Sequence, residues 1–479
     1  MESLLIRPAP GVLVLVVAIM LQASAQICLG RQILSTGSAR PSDDETSTTQ
    51  EVNYDKVLKS YWIHRDHPDS PASGASTYNT SSQSERIAAA ARRSLTRAEY
   101  FSRRVLDDSS GGNFDSPVER VRGDYGMAVS VGTPPQHFIL YIDTGSDPVW
   151  LNCRPCIQCI VNASHNPFDP TQSRSYQEAS CNDNACTGFT NRATLCFGTG
   201  PCDYIVRYGD GSQTSGIVAY ETFTFTALDG SSFPIEHITF GCGQNESLNR
   251  FPGIDGLVGL GLGSLSLPSQ LSLVSGFTDI FSYCLIPFSG AAGNHSTFYF
   301  GVPETNISTY TPIYSNPPST HYYVNVTGIS VGDVLLNIPA GFFYPTNGVG
   351  GIIFDSGTTF TLLIGVAYGA VVQEFASQYD FPVVSIPPYV CFDVSNATAS
   401  TIVPNIVFHL QSVSDAEPVD FVLSLKNVLL QYSETVECLT ILLRDPTGPM
   451  IIGNTAQANH EMVFDRANGR IGWASTTCT

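Results

Sequence analysis

Residues Ile139-Leu140-Tyr141-Ile142-Asp143-Thr144-Gly145-Ser146 and Ile352-Ile353-Phe354-Asp355-Ser356-Gly357-Thr358 repeat one pattern. In each, an apolar run enters an aspartate, followed by a small hydroxyl residue, a glycine and a second hydroxyl residue. One such tetrapeptide is an ordinary turn. Two of them, 212 residues apart and each preceded by a buried-type strand, imply duplicated lobes whose loops meet at a shared cleft. Carboxylates brought together there cannot both ionise easily, so one proton is shared and the pair titrates as a unit. The ionised member then takes a proton from water while the protonated member donates to a carbonyl oxygen. Asp143 and Asp355 are therefore the candidate catalytic pair of a hydrolase, and this chemistry calls for no metal, cofactor or covalent nucleophile. Gly145 and Gly357 permit tight turns and close backbone approach, while Thr144, Ser146, Ser356 and Thr358 can fix the carboxylates by hydrogen bonds.

Outward from these loops, the chain from Tyr125 onward reads as short β-type runs broken by Gly, Pro, Asn and Ser. Examples are Phe138 to Ile142, Thr222 to Thr226 and His321 to Thr327. Turn residues at this spacing argue for an all-β architecture with few helices, of which 366–379 is the best candidate. Tyr204 to Gly216, containing Tyr208-Gly209-Asp210-Gly211-Ser212, reads as a hairpin with a Gly-rich tip. It is a candidate flap in which Tyr208, Gly209 and Asp210 close over a substrate. Trp150, seven residues after Asp143, is placed to offer its indole N–H to Tyr208.

The amino-terminal 120 residues have a different character. Met1 to Ala25 sets Arg7 before an apolar run and ends in Ala23-Ser24-Ala25, the layout of a secretory signal cleaved before Gln26. The run is shorter than the ~20 apolar residues of a spanning helix, so no stable membrane anchor is expected. Residues 26–120 read as a removable pro-segment. It carries Tyr61-Trp62-Ile63-His64-Arg65-Asp66, a basic helix with Arg86, Arg92, Arg93, Arg97, Arg103 and Arg104, and a polar linker at 107–112. The chain as a whole has a formal charge of −19, and from Val121 onward 10 Lys and Arg stand against 28 Asp and Glu, a net of −18. Nucleic acid and anionic membranes are thus poor partners. The basic segment can instead pair with the acidic body while its carboxylates are ionised, which makes the pro-segment a candidate inhibitor released by acid.

Of 13 cysteines, Cys28 stands apart. The other twelve are Cys153, Cys156, Cys159, Cys181, Cys186, Cys196, Cys202, Cys242, Cys284, Cys391, Cys438 and Cys478. In a secreted chain an even set reads as up to six disulfides of undetermined pairing, which outweighs a zinc reading of the first three. Residues 153–202, with seven cysteines and little periodicity, read as a disulfide-held insertion. Sequons at Asn79, Asn162, Asn245, Asn294, Asn306, Asn325 and Asn396 fit the secretory route.

These motifs together resemble the pepsin-type aspartic proteases, in particular their nepenthesin-like plant branch. The resemblance rests on Asp143-Thr-Gly-Ser-Asp147 with Trp150, Cys153-Arg-Pro-Cys156-Ile-Gln-Cys159 and Phe168-Asp-Pro170. It continues through Tyr208-Gly-Asp-Gly-Ser212, Phe240-Gly-Cys-Gly243, Gly256 to Gly261, Phe281-Ser-Tyr-Cys284, Phe354 to Thr359, Ile451-Ile-Gly-Asn454 and Phe464-Asp465. It implies a bilobal all-β pepsin-like fold, with an N-terminal lobe over 121–310 carrying flap and Cys-rich insertion, and a C-terminal lobe over 311–479. It further implies Asp143 and Asp355 as catalytic dyad, Tyr208 as flap tyrosine, and Leu257-Val-Gly259 and Ile451-Ile-Gly453 as supports beneath the two loops. The expected protein is a secreted acid endopeptidase, a monomer acting on peptides or proteins in the apoplast or vacuole. One departure is Pro148, where the branch has an apolar residue such as leucine. Its fixed φ and missing N–H would shift the loop. A rival reading is a binding protein on the same fold, like secreted plant relatives that lack a catalytic aspartate and resemble inhibitors of microbial glycosidases. A glycosidase pair is a third reading, with nothing beyond two acids to recommend it.

Overall fold

The computed structural model describes residues 58–64, 82–107, 125–159, 166–189, 196, 200–208, 212–227, 231–246, 255–274, 277–287, 296–301, 307–314, 320–345, 350–398, 400–414, 417–423 and 425–478. The leader over 1–25, its cleavage point, the linker at 108–112, the flap tip Gly209 to Gly211, and Asn79, Asn162, Asn294 and Asn306 lie outside the described residues.

In chain order the first elements are β1 (Leu58–His64), α1 (Gln83–Asp107), β2 (Tyr125–Val131), β3 (Gln136–Asp143) and β4 (Trp150–Asn152). Next come β5 (Gln177–Glu178), α2 (Asn184–Phe189), β6 (Asp203–Arg207), β7 (Gln213–Ala227), β8 (Ser232–Glu246) and β9 (Gly256–Gly259). Then follow α3 (Leu267–Leu271), β10 (Ile280–Cys284), β11 (Ser296–Phe300), β12 (Thr309–Pro312), β13 (Tyr322–Val324), β14 (Val326–Val331) and β15 (Val334–Leu335). The remainder opens with β16 (Ile352–Phe354), β17 (Thr361–Ile364), α4 (Gly365–Gln378), β18 (Val383–Ile386), β19 (Tyr389–Asp393), β20 (Ile406–Leu410) and β21 (Val419–Leu423). It closes with α5 (Leu425–Val428), β22 (Leu429–Ser433), β23 (Val436–Leu439), β24 (Ile441–Arg444), β25 (Met450–Ile452), α6 (Asn454–Gln457), β26 (His460–Asp465) and β27 (Arg470–Ser475).

The architecture is all-β and bilobal, as the turn spacing implies. A 14-stranded sheet runs β12-β27-β26-β10-β11-β1-β2-β3-β9-β4-β8-β7-β5, with β6 on β7. The last strands of the chain thus enter the same sheet as the first, β26 pairing β10 and β27 pairing β12. Strand β1, from the expected pro-segment, fills the place between β2 and β11, with Trp62 opposite both Met127 and Ser296. The later half of the chain builds three smaller sheets, of which β13-β16-β25-β17-β24 matters here.

Duplication shows in the strand pairings. In the first half, β3 and β9 are parallel, β9 and β4 antiparallel, and β4 and β8 parallel. In the second, β16 and β25 are parallel, β25 and β17 antiparallel, and β17 and β24 parallel. Each aspartate loop leaves the first strand of such a quartet. Strands β9 and β25 are the two supports expected from the sequence, and they are apolar because they are buried on both faces.

The helices obey the same logic. Helix α4 presents Ala367, Val371 and Phe375 to the core at four-residue spacing. In α1, Ser82 and Glu85 form a reciprocal cap: Glu85 N–H donates to Ser82 Oγ at 3.2 Å, and Ser82 N–H donates to Glu85 Oε2 at 2.7 Å. One stripe of that helix, Ile87, Ala90, Ala91, Ser94 and Ala98, is buried.

Candidate active site

Each aspartate is aimed by the turn that follows it. Gly145 N–H donates to Asp143 Oδ1 at 2.9 Å and Ser146 Oγ donates to Oδ2 at 2.6 Å. The second loop repeats this, with Gly357 N–H donating to Asp355 Oδ1 at 3.0 Å and Thr358 Oγ1 donating to Oδ2. The hydroxyl residues between them lock the loops to each other. Thr144 N–H donates to Ser356 Oγ at 3.1 Å and Ser356 N–H donates to Thr144 Oγ1 at 2.8 Å. Each hydroxyl then donates onward across the interface, Thr144 to the Phe354 carbonyl at 3.3 Å and Ser356 to the Ile142 carbonyl at 3.4 Å. This near-twofold knot of buried donors and acceptors explains why small hydroxyl residues follow the aspartates.

The glycines are needed for proximity. A Cβ on Gly145 would sit 2.7 Å from Asp355 Oδ1, and a Cβ on Gly357 would sit 2.5 Å from Asp143 Oδ1. Neither position tolerates a side chain without moving the opposing carboxylate. Both carboxylates are removed from water, at 2 % and 0 % exposure. Burial pushes the Asp143 carboxyl above the ordinary aspartate range and Asp355 pushes it further the same way, against the pull of Arg97 and the bonds from Ser146 and Gly145.

Pro148 does not open the loop. The proline contributes its carbonyl, which accepts from Gly259 N–H at 3.2 Å, and Gly261 N–H reaches the Ser146 carbonyl at 2.9 Å. Asp147 Oδ1 accepts from Gly263 N–H at 2.8 Å. Trp150 then falls in place, its indole N–H donating to Tyr208 OH at 2.6 Å with both rings buried. Tyr208 ends the outgoing limb of the hairpin, where its N–H bonds the Ser212 carbonyl at 2.8 Å.

A residue that the motifs did not single out sits between the aspartates. Arg97, on the buried stripe of α1, donates through Nε to Asp355 Oδ2 at 2.6 Å and through Nη2 to Asp355 Oδ1 at 3.0 Å. The same Nη2 donates to Asp143 Oδ1. One nitrogen therefore touches both carboxylates, so the two acids lie within reach of a single small group. Helix α1 is held there from Ile87 to Ala98. Phe360 N–H donates to Ser94 Oγ at 2.9 Å, Tyr389 OH to the Ile87 carbonyl at 2.8 Å, and Arg444 Nη2 to the Ala98 carbonyl at 3.1 Å. Its apolar stripe packs with Phe360, Leu362, Tyr389 and Leu442.

The twelve later cysteines form six disulfides: 153–242, 156–159, 181–196, 186–202, 284–478 and 391–438. Cys153–Cys242 fastens the end of β4 to β8, and Cys284–Cys478 ties the chain end to β10. A cavity of about 1150 Å³ opens on the Cys-rich segment beside Arg154, Tyr176 and Glu178, and among the described residues neither Asp143, Asp355, Trp150 nor Tyr208 lines it. Among the described sequons, Asn245 and Asn396 are exposed and Asn325 is half-buried. No helix among the described residues is long and apolar enough to cross a membrane.

Comparison with known proteins places this geometry in context. Residues 125–302 match the family model described as xylanase inhibitor N-terminal, and residues 321–475 match xylanase inhibitor C-terminal. Aspartic proteinase nepenthesin-1 of Nepenthes gracilis is 35% identical over 78% of this chain and 82% of its own length. The protein ASPARTIC PROTEASE IN GUARD CELL 2 of Arabidopsis thaliana is 34% identical over 77% of this chain and 75% of its own. Among solved structures, edgp superposes with a TM-score of 0.62 at 22% identity, over 74% of this chain and 92% of that one. Basic 7S globulin from soybean does so with a TM-score of 0.59 at 19% identity, over 74% and 94%. At these identities the solved structures speak for the fold alone.

Proposed function

The chain belongs to the pepsin-like plant aspartic proteases, and from that premise we propose that it is the latent form of an acid endopeptidase in which Asp143 and Asp355 activate a water. The observation that carries this reading is the contact of one Arg97 nitrogen with both buried carboxylates. Two acids close enough to share a cation are close enough to share a proton and to grip one water molecule. In the active state one carboxylate accepts the proton of that water, and the protonated partner donates to the carbonyl oxygen of the scissile bond. The hydroxyls of Ser146 and Thr358 hold the outer oxygens still, and Tyr208, braced by Trp150, closes the hairpin over the peptide. Release of product regenerates the shared proton.

Latency follows from α1. Its Arg97 guanidinium touches both carboxylates, where the water must sit, so the pro-segment inhibits by exclusion. Acid reverses this: Arg97 favours the ionised form of Asp143, so its hold weakens as Asp143 takes up a proton, and because burial lifts Asp143 above the ordinary aspartate range the loss begins in mild acid. The leader, the disulfides and the sequons favour secretion into an oxidising space outside the cell or into the vacuole.

The experiment is peptide hydrolysis by the acid-treated chain at pH 3 to 5, with and without pepstatin, beside Asp143→Asn. Loss of turnover in both, with the variant still folded by circular dichroism, supports the dyad. A second reading, a binding protein on this fold, is favoured by the xylanase-inhibitor description of the matching family models. It predicts no hydrolysis at any pH and tight binding of a xylanase by the same preparation.

A further inference from the structure

Ser330, His409 and Asp420 belong to none of the motifs, yet they form a hydrogen-bonded chain on the sheet β15-β14-β20-β21. His409 Nδ1 lies 2.6 Å from Asp420 Oδ1, and its Nε2 lies 2.6 Å from Ser330 Oγ. Three neighbouring strands supply one residue each. His409 of β20 stands opposite Asp420 of β21 on one side and, on the other, opposite Gly328 of β14, two residues before Ser330. Opposed residues and residues two apart share a face, so all three side chains rise from one side of the sheet. A bulge makes this so. The β14–β20 register shifts between Val326 and Gly328, and with the earlier register Ser330 would stand opposite Ile406, on the buried face with Phe408 and Leu410.

The order of the groups fixes the protons. An ionised carboxylate only accepts, so His409 carries its hydrogen on Nδ1 and donates to Asp420. In the neutral ring Nε2 is then the acceptor, and the Ser330 hydroxyl donates to it. A hydroxyl within hydrogen-bond reach of a base, with that base oriented by a third group, is the arrangement that activates an alcohol as a nucleophile. Strand β14 lies between β15 and β20, so the N–H groups around Ser330 point along the sheet into two ladders rather than over its face. No oxyanion hole of main-chain donors is therefore built there, which restricts the reaction to esters with a good leaving group. Leu335, opposite Ser330, borders the site: a Cβ on Gly328 would come within 3.0 Å of Leu335 Cδ1 and 3.6 Å of His409 Cδ2.

We propose that Ser330 is the nucleophile of a second site, independent of the two aspartates, which accepts the acyl group of aryl esters with His409 as its base. Asp420 is the positioning residue. As the bond from Ser330 Oγ to the ester carbonyl carbon forms, His409 Nε2 takes the hydroxyl proton. The bond from that carbon to the aryloxy oxygen then breaks, and the departing oxygen takes the proton from His409. Water attacks the acyl-serine by the same route, its proton passing through His409 to Ser330 Oγ, so one ester and one water give one acid and one phenol. Access is past Leu335. Ser330 is 7 % exposed while Leu335 is 67 % exposed, so rotation of that one side chain uncovers the hydroxyl.

An alkyl fluorophosphonate is the probe: Ser330 Oγ bonds its phosphorus, fluoride leaves and His409 holds the proton. The full chain is incubated with it and adducts are located by peptide mass mapping. Expected are one phosphonyl group on Ser330 in the wild type, labelling at least about 100-fold slower in His409→Asn, the contribution of a positioned general base, and faster labelling in Leu335→Ala. In Asp420→Asn the maximal labelling rate should fall at an unchanged half-saturating probe concentration, with partial recovery in Asp420→Glu. A wild type whose Ser330 stays unmodified, or a folded His409→Asn that reacts at the wild-type rate, overturns the proposal. Should His409→Asn fail to fold, release of nitrophenol from p-nitrophenyl acetate decides: Ser330→Ala must abolish it, and equal release by variant and wild type refutes the site. Labelling should be unchanged in Asp143→Asn, and Ser330→Ala should hydrolyse peptide as the wild type does. If neither hydrolyses peptide, the protease reading falls while labelling still judges Ser330.

Discussion

Replacing Arg97 by alanine in the full chain removes the cation that touches both carboxylates while leaving every other anchor of α1 in place. The Arg97 side chain is 16 % exposed and its partners 2 % and 0 %, so the pair is buried, and breaking such a pair by deleting one partner costs about 3–5 kcal/mol. The dyad can recover part of this by taking up a proton, which puts the loss of helix docking near the lower end, about 3 kcal/mol or roughly 100-fold. Ser94, the Ile87 and Ala98 carbonyls and the apolar stripe remain to hold the helix. Expected behaviour is a chain that hydrolyses a quenched fluorescent peptide at pH 5.5 without prior acidification, where the wild type stays latent until acidified. Arg97→Lys should fall between the two, because a lysine retains the charge and loses the paired N–H geometry. Both variants are compared with wild type at equal thermal stability of the activated form. The reasoning is falsified if Arg97→Ala, correctly folded, activates at the same pH and rate as the wild type.

Other expectations follow from the same contacts. Tyr208→Phe leaves the Trp150 N–H buried without the Tyr208 acceptor, a cost of about 1–3 kcal/mol, so the urea midpoint should fall accordingly and kcat/KM should drop between roughly 5- and 100-fold as the closed hairpin is disfavoured. Ser356→Ala removes an acceptor of the Thr144 N–H and a donor to Ile142, and should lower stability by about 1–3 kcal/mol in denaturant titration. An unchanged midpoint there would mean the knot between the loops is not a stabilising feature. The double change Cys284→Ala and Cys478→Ala frees a chain end tied across 194 residues, for which a loss of about 2–5 kcal/mol is expected by the same titration.

Much of this protein was readable from residue order. The two strand-Asp-hydroxyl-Gly stretches, the Gly-rich hairpin and Trp150 are local patterns whose chemistry depends on neighbours close in sequence, and the structure brings the two aspartate loops together and joins Trp150 to Tyr208. Arg97 was present in the reading only as one of six arginines on a basic helix. Helical periodicity narrows the six without separating it: Arg92 and Arg103 point elsewhere, but Arg86, Arg93 and Arg104 lie on the same side of the helix as Arg97, and only the docking of α1 against the loops selects Arg97.

By itself the sequence determined the all-β class, the duplication, the even cysteine set and the pair of acids, since each is written in spacing or composition. Only the tertiary structure decided which cysteines join, that the chain's last strands and β1 share one sheet with β2 and β3, and which cation reaches the acids. The physical reason is that these are contacts between residues tens to hundreds of positions apart. Their energies come from desolvation and from partners placed by the fold, and burial, unlike periodicity, has no local spelling.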